Sequence, residues 1–355
     1  MRARTGHLLF ILCAVAAAIS LAAPAFAQDS ELYVLGVHPH GIVVFDGTRD
    51  EIVTVIETRG RAPKELVPSE DGKFVYVTSD GRAKLEVVNL QTRAVDRVLD
   101  LAPPGYRLTI FGVALNHKGD RLYVHVKPVR ELADRYVVEA PQIWSVEVAT
   151  GKTSKIAEVP QGVAALALTA DERRLIAWGR DLYYVDIAQG RITDTYHLMN
   201  PVNPTEGELN TLALFIQYER SGIFSIPYYT KDPITNKDLM GLVDLDVNTG
   251  KVETVELGSP IPLYSAVVSP DRKRAYAVMN QLIAVDLEKK RILQTVDLDR
   301  TRYVANISRD GKRLFISGAA PYIHVYDIDT LKLIKTVDLP GDPALTGFRA
   351  LPPGP

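Results

Sequence analysis

The residues of this chain that can do chemistry are few and scattered. His38-Pro39-His40 is the only close histidine pair. Two histidines one residue apart on a strand share a face and can chelate a metal ion. Here a proline separates them, the surroundings read as a loop, and no third ligand is evident. His117, His125, His197 and His324 stand apart and read as surface or packing residues. Asp244 and Asp246 form an alternate pair of carboxylates, but at positions where acids bond the backbone of a turn. Trp144 and Trp178 are candidates for a tryptophan-derived quinone, yet both lie in apolar strand patterns that read as packing. A G-x-S-x-G elbow, a P-loop and a G-x-G-x-x-G fingerprint are all missing. Gly179-Arg180-Asp181-Leu182 puts a guanidinium beside a carboxylate, a pair able to grip a partner's backbone or carboxylate. An ordinary turn with a local ion pair is the equal alternative.

The elements that must position these groups repeat. Arg302–Asp342 is one complete unit: Tyr303–Ser308, Arg313–Ser317, Tyr322–Ile328 and Leu333–Leu339 each alternate apolar and polar, with turns at Asp310-Gly311 and Asp329–Lys332 between them. Period-2 alternation broken by such turns is the signature of short antiparallel strands. The unit recurs seven times, its third strand ending at Asp46, Asn89, Glu147, Asp186, Asp246, Asp286 and Asp327. Four of the six gaps, of 43, 39, 40 and 41 residues, suit one propeller blade, and the gaps of 58 and 60 carry insertions. The expected fold is therefore all-β: a seven-bladed propeller of four-stranded antiparallel blades filling 28–355 as a single domain. Blade one, which begins at Glu31–Gly36, lacks a first strand. The tail Ala344–Ala350 can supply it, closing the ring and hiding two sheet edges. No 12-residue stretch after residue 27 has a helical period, and Glu131–Tyr136 is expected to make a helical turn at most.

Residues 1–27 read as a secretory signal peptide: Arg2 and Arg4, an apolar run Leu8–Ala23, then Ala25-Phe26-Ala27 before Gln28. The expected location is the periplasm, with cleavage after Ala27. Cys13, the only cysteine, leaves with the leader, so the mature chain holds no disulfide, thiolate metal site or C-x-x-C-H haem motif. Loss of Arg2 and Arg4 takes the formal charge from −2 to −4. No basic excess or basic run points to nucleic acid or a membrane surface as partner.

Both insertions, Lys127–Gln142 and Tyr228–Met240, join second to third strands, and the long connections Ala102–Leu108, Met199–Glu208 and Gly258–Pro262 join blade to blade. In a propeller these two loop types open on one face. That elaborated face carries Tyr106, Arg130, Tyr136, Tyr228 and Tyr229, and Tyr and Arg are residue types that anchor protein interfaces. The opposite, plain face has only short turns.

Several irregular pieces of the chain resemble the β subunit of quinohemoprotein amine dehydrogenase. They are Ile110–Leu115 with Pro128-Val129-Arg130, then Gly179–Leu182 with Asp186, then Ser221-Gly222 with Pro227-Tyr228-Tyr229-Thr230, and Val337–Gly341. The resemblance runs over nearly all of the chain after residue 27. It implies a non-catalytic propeller subunit in a periplasmic heterotrimer. Its partners would be a dihaem cytochrome c α subunit and a small γ subunit bearing cysteine tryptophylquinone and a catalytic aspartate. The complex would oxidise primary amines to aldehyde and ammonia and pass electrons to haem c. This chain would own neither cofactor nor catalytic residue, and would help enclose the substrate cavity. Phe111, Arg130, Arg180, Tyr228 and Tyr229 are the implied interface or cavity residues. The turn Asn116-His117-Lys118-Gly119 departs from the family's S-P-D-G-like turn. A stand-alone periplasmic propeller that binds a protein or surface ligand is the alternative, and a metal-dependent propeller hydrolase is opposed by the missing ligand set.

Overall fold

Alternating strands and Asp-containing turns fold here into seven antiparallel sheets, seen in a computed structural model that describes residues 30–203, 205–212 and 216–353. The leader expected at 1–27 lies outside them. The sheets form the blades of a ring, each running from an inner to an outer strand, and the described residues contain no α-helix. The chain is a seven-bladed β-propeller.

Turn chemistry explains why the blades repeat. In blades two, four, six and seven, a Ser or Thr hydroxyl (Ser69, Thr169, Ser269, Ser308) donates to the Asp two residues on. The same hydroxyl accepts the N–H that opens the second strand. The next residue must take a left-handed conformation, met by Gly72 and Gly311 at φ of 66° and 70° and tolerated by Glu172 and Arg272 at 54° and 60°. In blade three Asn116 does the serine's work: its Oδ1 accepts from Asp120 and Arg121, and Gly119 stands at φ 73°. The departure from S-P-D-G therefore keeps the turn. At the other turn, the acid or amide ending the third strand accepts backbone N–H groups, as Asp46, Asn89, Asp186, Asp246, Asp286 and Asp327 do.

Each blade also carries a bulge between its third and fourth strands, which adds the twist that packs neighbouring sheets. The core is divided to match. Seven apolar clusters each fill one interface between neighbouring blades. Units with two apolar faces and no core of their own are stable only in such a stack.

The tail closes the ring as the pattern implies. Phe348–Ala350 pairs antiparallel with Leu32–Val37 and becomes the inner strand of blade one. Phe348 is fully buried with Tyr33, Phe45 and Phe315.

Two segments differ from expectation. Glu131–Tyr136 is no helical turn but the tip of a hairpin: the second strand of blade three runs on to Glu131, and Tyr136–Val138 pairs back on it. Extra residues after a strand whose ladder is still open extend that ladder at less cost than a new helix nucleus. In blade five the described inner strand is only Asn210–Thr211, and Ile216–Arg220 lies outside any strand.

Candidate functional site

Both insertions build hairpins on the elaborated face. In blade three, Arg130 sits between Tyr106 on one side and Val137 on the other. It is exposed, with Nε 3.6 Å from Glu139, whose carboxylate also accepts the Tyr106 hydroxyl at 3.0 Å. In blade five the second and third strands stay paired out to Lys231 and Asp238, and Asp232 caps the turn by accepting from Ile234 and Thr235. Exposed apolar side chains gather on this face: Tyr136 at 62% and Val138 at 71% on one hairpin, Ile234 at 79% on the other, and Val202 at 78% on the connection from blade four to five. Single exposed apolar residues are ordinary, and the loops that carry these four are the long ones, so the exposed apolar area of the connections falls mostly on this face.

The five residues singled out by sequence are not brought together. Phe111 is partly buried beside the axis, with the Arg82 guanidinium 4.5 Å and Lys127 Nζ 4.3 Å from its ring centroid. Arg180 is exposed, but Asp181 turns away from it. Asp181 is buried and accepts from the backbone of Leu198, Met199 and Asn200 and from the Asn200 amide. The imagined Arg–Asp grip is therefore an inward cap on the connection Met199–Glu208 and a lone outward guanidinium. Burial raises the Asp181 pKa, but those donors outweigh it and hold the group below the usual carboxylate range.

Tyr228 corrects an expectation outright. It is 4% exposed, within the cluster between blades four and five, and burial pushes its phenol up to about 12. Its neighbour Tyr229 is partly buried, and its hydroxyl accepts from Leu263 N at 2.5 Å while facing the Ile261 and Leu263 carbonyls at 3.0 and 3.1 Å. Tyr229 thus pins the connection Gly258–Pro262 rather than standing free on it. Adjacent strand residues point to opposite faces, so both tyrosines of the Pro227–Thr230 motif are occupied by the fold, each on its own side.

Most of the remaining chemical candidates are also accounted for; His125 is the exception, fully buried with no hydrogen-bond partner on either ring nitrogen. Trp178 is buried and donates to Thr211, and Trp144 donates to Gln142. His38 and His40 meet the backbone carbonyls of Ala344 and Gly60. Among the described residues no group of three or more His, Cys, Asp or Glu is placed to hold a metal ion. Asp246 caps its turn; Asp244 borders a cleft between blades five and six, and burial first, Glu253 adding and Ser225 opposing, pushes it up to about 6.

What sequence reasoning missed is the axis. Tyr218, Glu219 and Arg220 of blade five enter the channel toward the plain face. Glu219 pairs with Arg349 on the closing strand. Arg220 reaches Glu31 of blade one at 2.5 Å and the Ile307 carbonyl of blade seven at 3.3 Å, and the Tyr33 hydroxyl donates to Glu31 at 2.6 Å. Beside them a cavity of about 380 Å³ opens at the plain-face end, with Glu70, Asn116, His117 and Asn248 on its wall. The signal was present as Gln217–Arg220, a largely polar run where blades two and four have apolar inner strands.

No family model and no curated protein matches the chain. Among solved structures, the chain is similar to Kuenenia stuttgartiensis hydrazine synthase (12% identity, TM-score 0.57, 85% of this chain and 90% of that one). It is similar to the dihydro-heme d1 dehydrogenase NirN in complex with DHE (16%, 0.56, 92% and 76%). It is also similar to a functionally unknown protein from Desulfotomaculum acetoxidans DSM 771 (14%, 0.60, 91% and 100%). At such identities the likeness carries the propeller fold and no activity.

Proposed function

We propose that this chain is the non-catalytic propeller subunit of a periplasmic amine dehydrogenase of the quinohaemoprotein type. The elaborated face takes the small γ subunit with its cysteine tryptophylquinone, and the dihaem cytochrome c α subunit completes the complex. Primary amine is oxidised to aldehyde and ammonia in a cavity this face helps enclose, and electrons leave through haem c. The observation that carries the reading is the one-sidedness of the surface. Tyr136, Val138, Val202 and Ile234 are each more than half exposed and belong to that face, which suits the apolar centre of a lasting interface. The sequence motifs around Phe111, Arg130, Arg180 and Tyr229 supply the resemblance.

The test is to isolate the native protein from its host periplasm and record its visible spectrum. Haem bands that sharpen on adding a primary amine, with an interface above about 2,000 Å² in the complex, are the expected result. A colourless single chain refutes the reading. It would favour instead a stand-alone binding propeller, for which the 380 Å³ axial cavity at the plain face is the natural pocket.

A further inference from the structure

At the elaborated face, the mouth of the axial channel gathers three cations that this chain leaves short of countercharge. Lys64 precedes the inner strand of blade two, Arg82 comes from that blade's second turn, and Lys127 lies on the second strand of blade three. Arg82 and Lys127 lie over the Phe111 ring. Lys64 Nζ is 3.3 Å from His38 Nε2 and 3.5 Å from the Ala344 carbonyl. Glu65 is the acid among them. Its oxygens already accept Gly112 N at 3.0 Å and Val113 N at 2.9 Å, and Arg82 stands 3.7 Å away. Among the described residues neither lysine ammonium has a carboxylate at ion-pair distance, Asp342 acting on Lys64 only from farther off. Arg349, on the same small cavity, is taken by Glu219. Burial first and Arg82 second hold both lysines below their usual range.

We propose that this mouth, framed by Lys64, Arg82 and Lys127, receives a carboxylate, supplied by an acidic side chain of the protein that docks on the elaborated face. The identity of that protein rests on the reading above; the site does not. The cavity between Lys64, Arg82 and Leu345 measures about 20 Å³, room for the tip of one side chain and not for a nucleotide; Lys127 stands outside its lining and shares the Phe111 ring with Arg82. Several half-buried like charges destabilise each other, and a carboxylate forming charge-assisted hydrogen bonds with them removes that cost. Leu345, 42% exposed at the rim, and the exposed apolar residues of the same face give the partner's chain something to lie on.

Two measurements test it. On the isolated wild-type chain, acylation of individual lysines by a neutral acetyl ester is followed by peptide mass spectrometry, in sodium acetate and in sodium chloride at equal ionic strength. With acetate at twice its dissociation constant, Lys64 and Lys127 should react about threefold more slowly, while exposed Lys155 and Lys251 keep their rates. Equal rates at Lys64 and Lys127 overturn the site, and no variant needs to fold for that answer. The second measurement is pull-down from host periplasm with the double variant Lys64→Gln/Lys127→Gln. It should melt no lower than wild type, lose the partner that wild type brings down, and regain it as Lys64→Arg/Lys127→Arg. Undiminished retention overturns the partner as the source. If wild type brings down no partner, the subunit reading fails by itself; acetate protection at the two lysines then upholds the site and overturns only a docked side chain as its occupant.

Discussion

Replacing Phe348 by alanine should loosen the ring at the point where the chain closes it. The side chain is fully buried, its ring centroid 5.6 Å from that of Tyr33 and 6.5 Å from that of Phe45. Truncating a buried Phe costs about 3–5 kcal/mol, transfer and cavity terms together. The surrounding aromatic pairs, worth about 0.5–1.5 kcal/mol each, push toward the upper half of that range. An entropy of about 2.1 cal/mol/K per residue over roughly 320 residues makes 4 kcal/mol a fall in Tm of about 6 °C. Leu333→Ala is the matched control, since Leu333 is 50% exposed on an outer strand and should move Tm by less than about 1 °C. Calorimetry gives the two shifts. Amide exchange then tells where the loss falls: Tyr33–Leu35, paired with Phe348–Ala350, should lose protection before the strands of blades three and four. A fall as small as the control's, or protection lost evenly around the ring, would refute the closing strand as the seam of the molecule.

Three further outcomes follow from the site. Tyr229→Phe leaves the buried Leu263 N–H without its partner, at a cost of about 1–3 kcal/mol, and proteases should cut 258–262 faster. Asp181→Asn should weaken the fold at neutral pH and flatten its acid limb. The folded pKa of Asp181 is depressed, so its contribution is present above the unfolded value of about 3.9 and lost as pH falls through the lower folded value. Urea titrations between pH 2 and 7 on both proteins check this, and parallel curves refute it. Arg180→Ala should leave the unfolding free energy within about 0.5 kcal/mol of wild type because the side chain is exposed, so any loss of co-purified haem protein on that change is a contact effect.

Much of the fold was legible because its determinants are local. Alternation sets a strand, a Ser or Thr two residues before an Asp sets one turn, and an acid at the end of the third strand sets the other. Seven copies of that pattern leave the chain only one economical closed arrangement, and the unpaired start at Glu31–Gly36 asks for the strand that Phe348–Ala350 provides. The same local logic correctly put both long insertions between second and third strands. It failed at Glu131–Tyr136, where an open ladder drew the residues into a hairpin.

The site was less legible because its contacts join blades far apart in the chain. By itself the sequence determined the number of blades, the seam, and which connections are long, since each depends on residues within a few positions of one another. Only the tertiary structure decided that Tyr228 faces a neighbouring blade, that Asp181 turns inward, and that Arg220 spans the channel to Glu31. It alone decided too that Arg82 and Lys127 meet at the Phe111 ring while Arg82 and Lys64 line one small cavity. Side-chain direction in a loop, and charge density at an axis, are set by which blades stand opposite when the ring closes, and that is a property of the closed ring rather than of any segment in it.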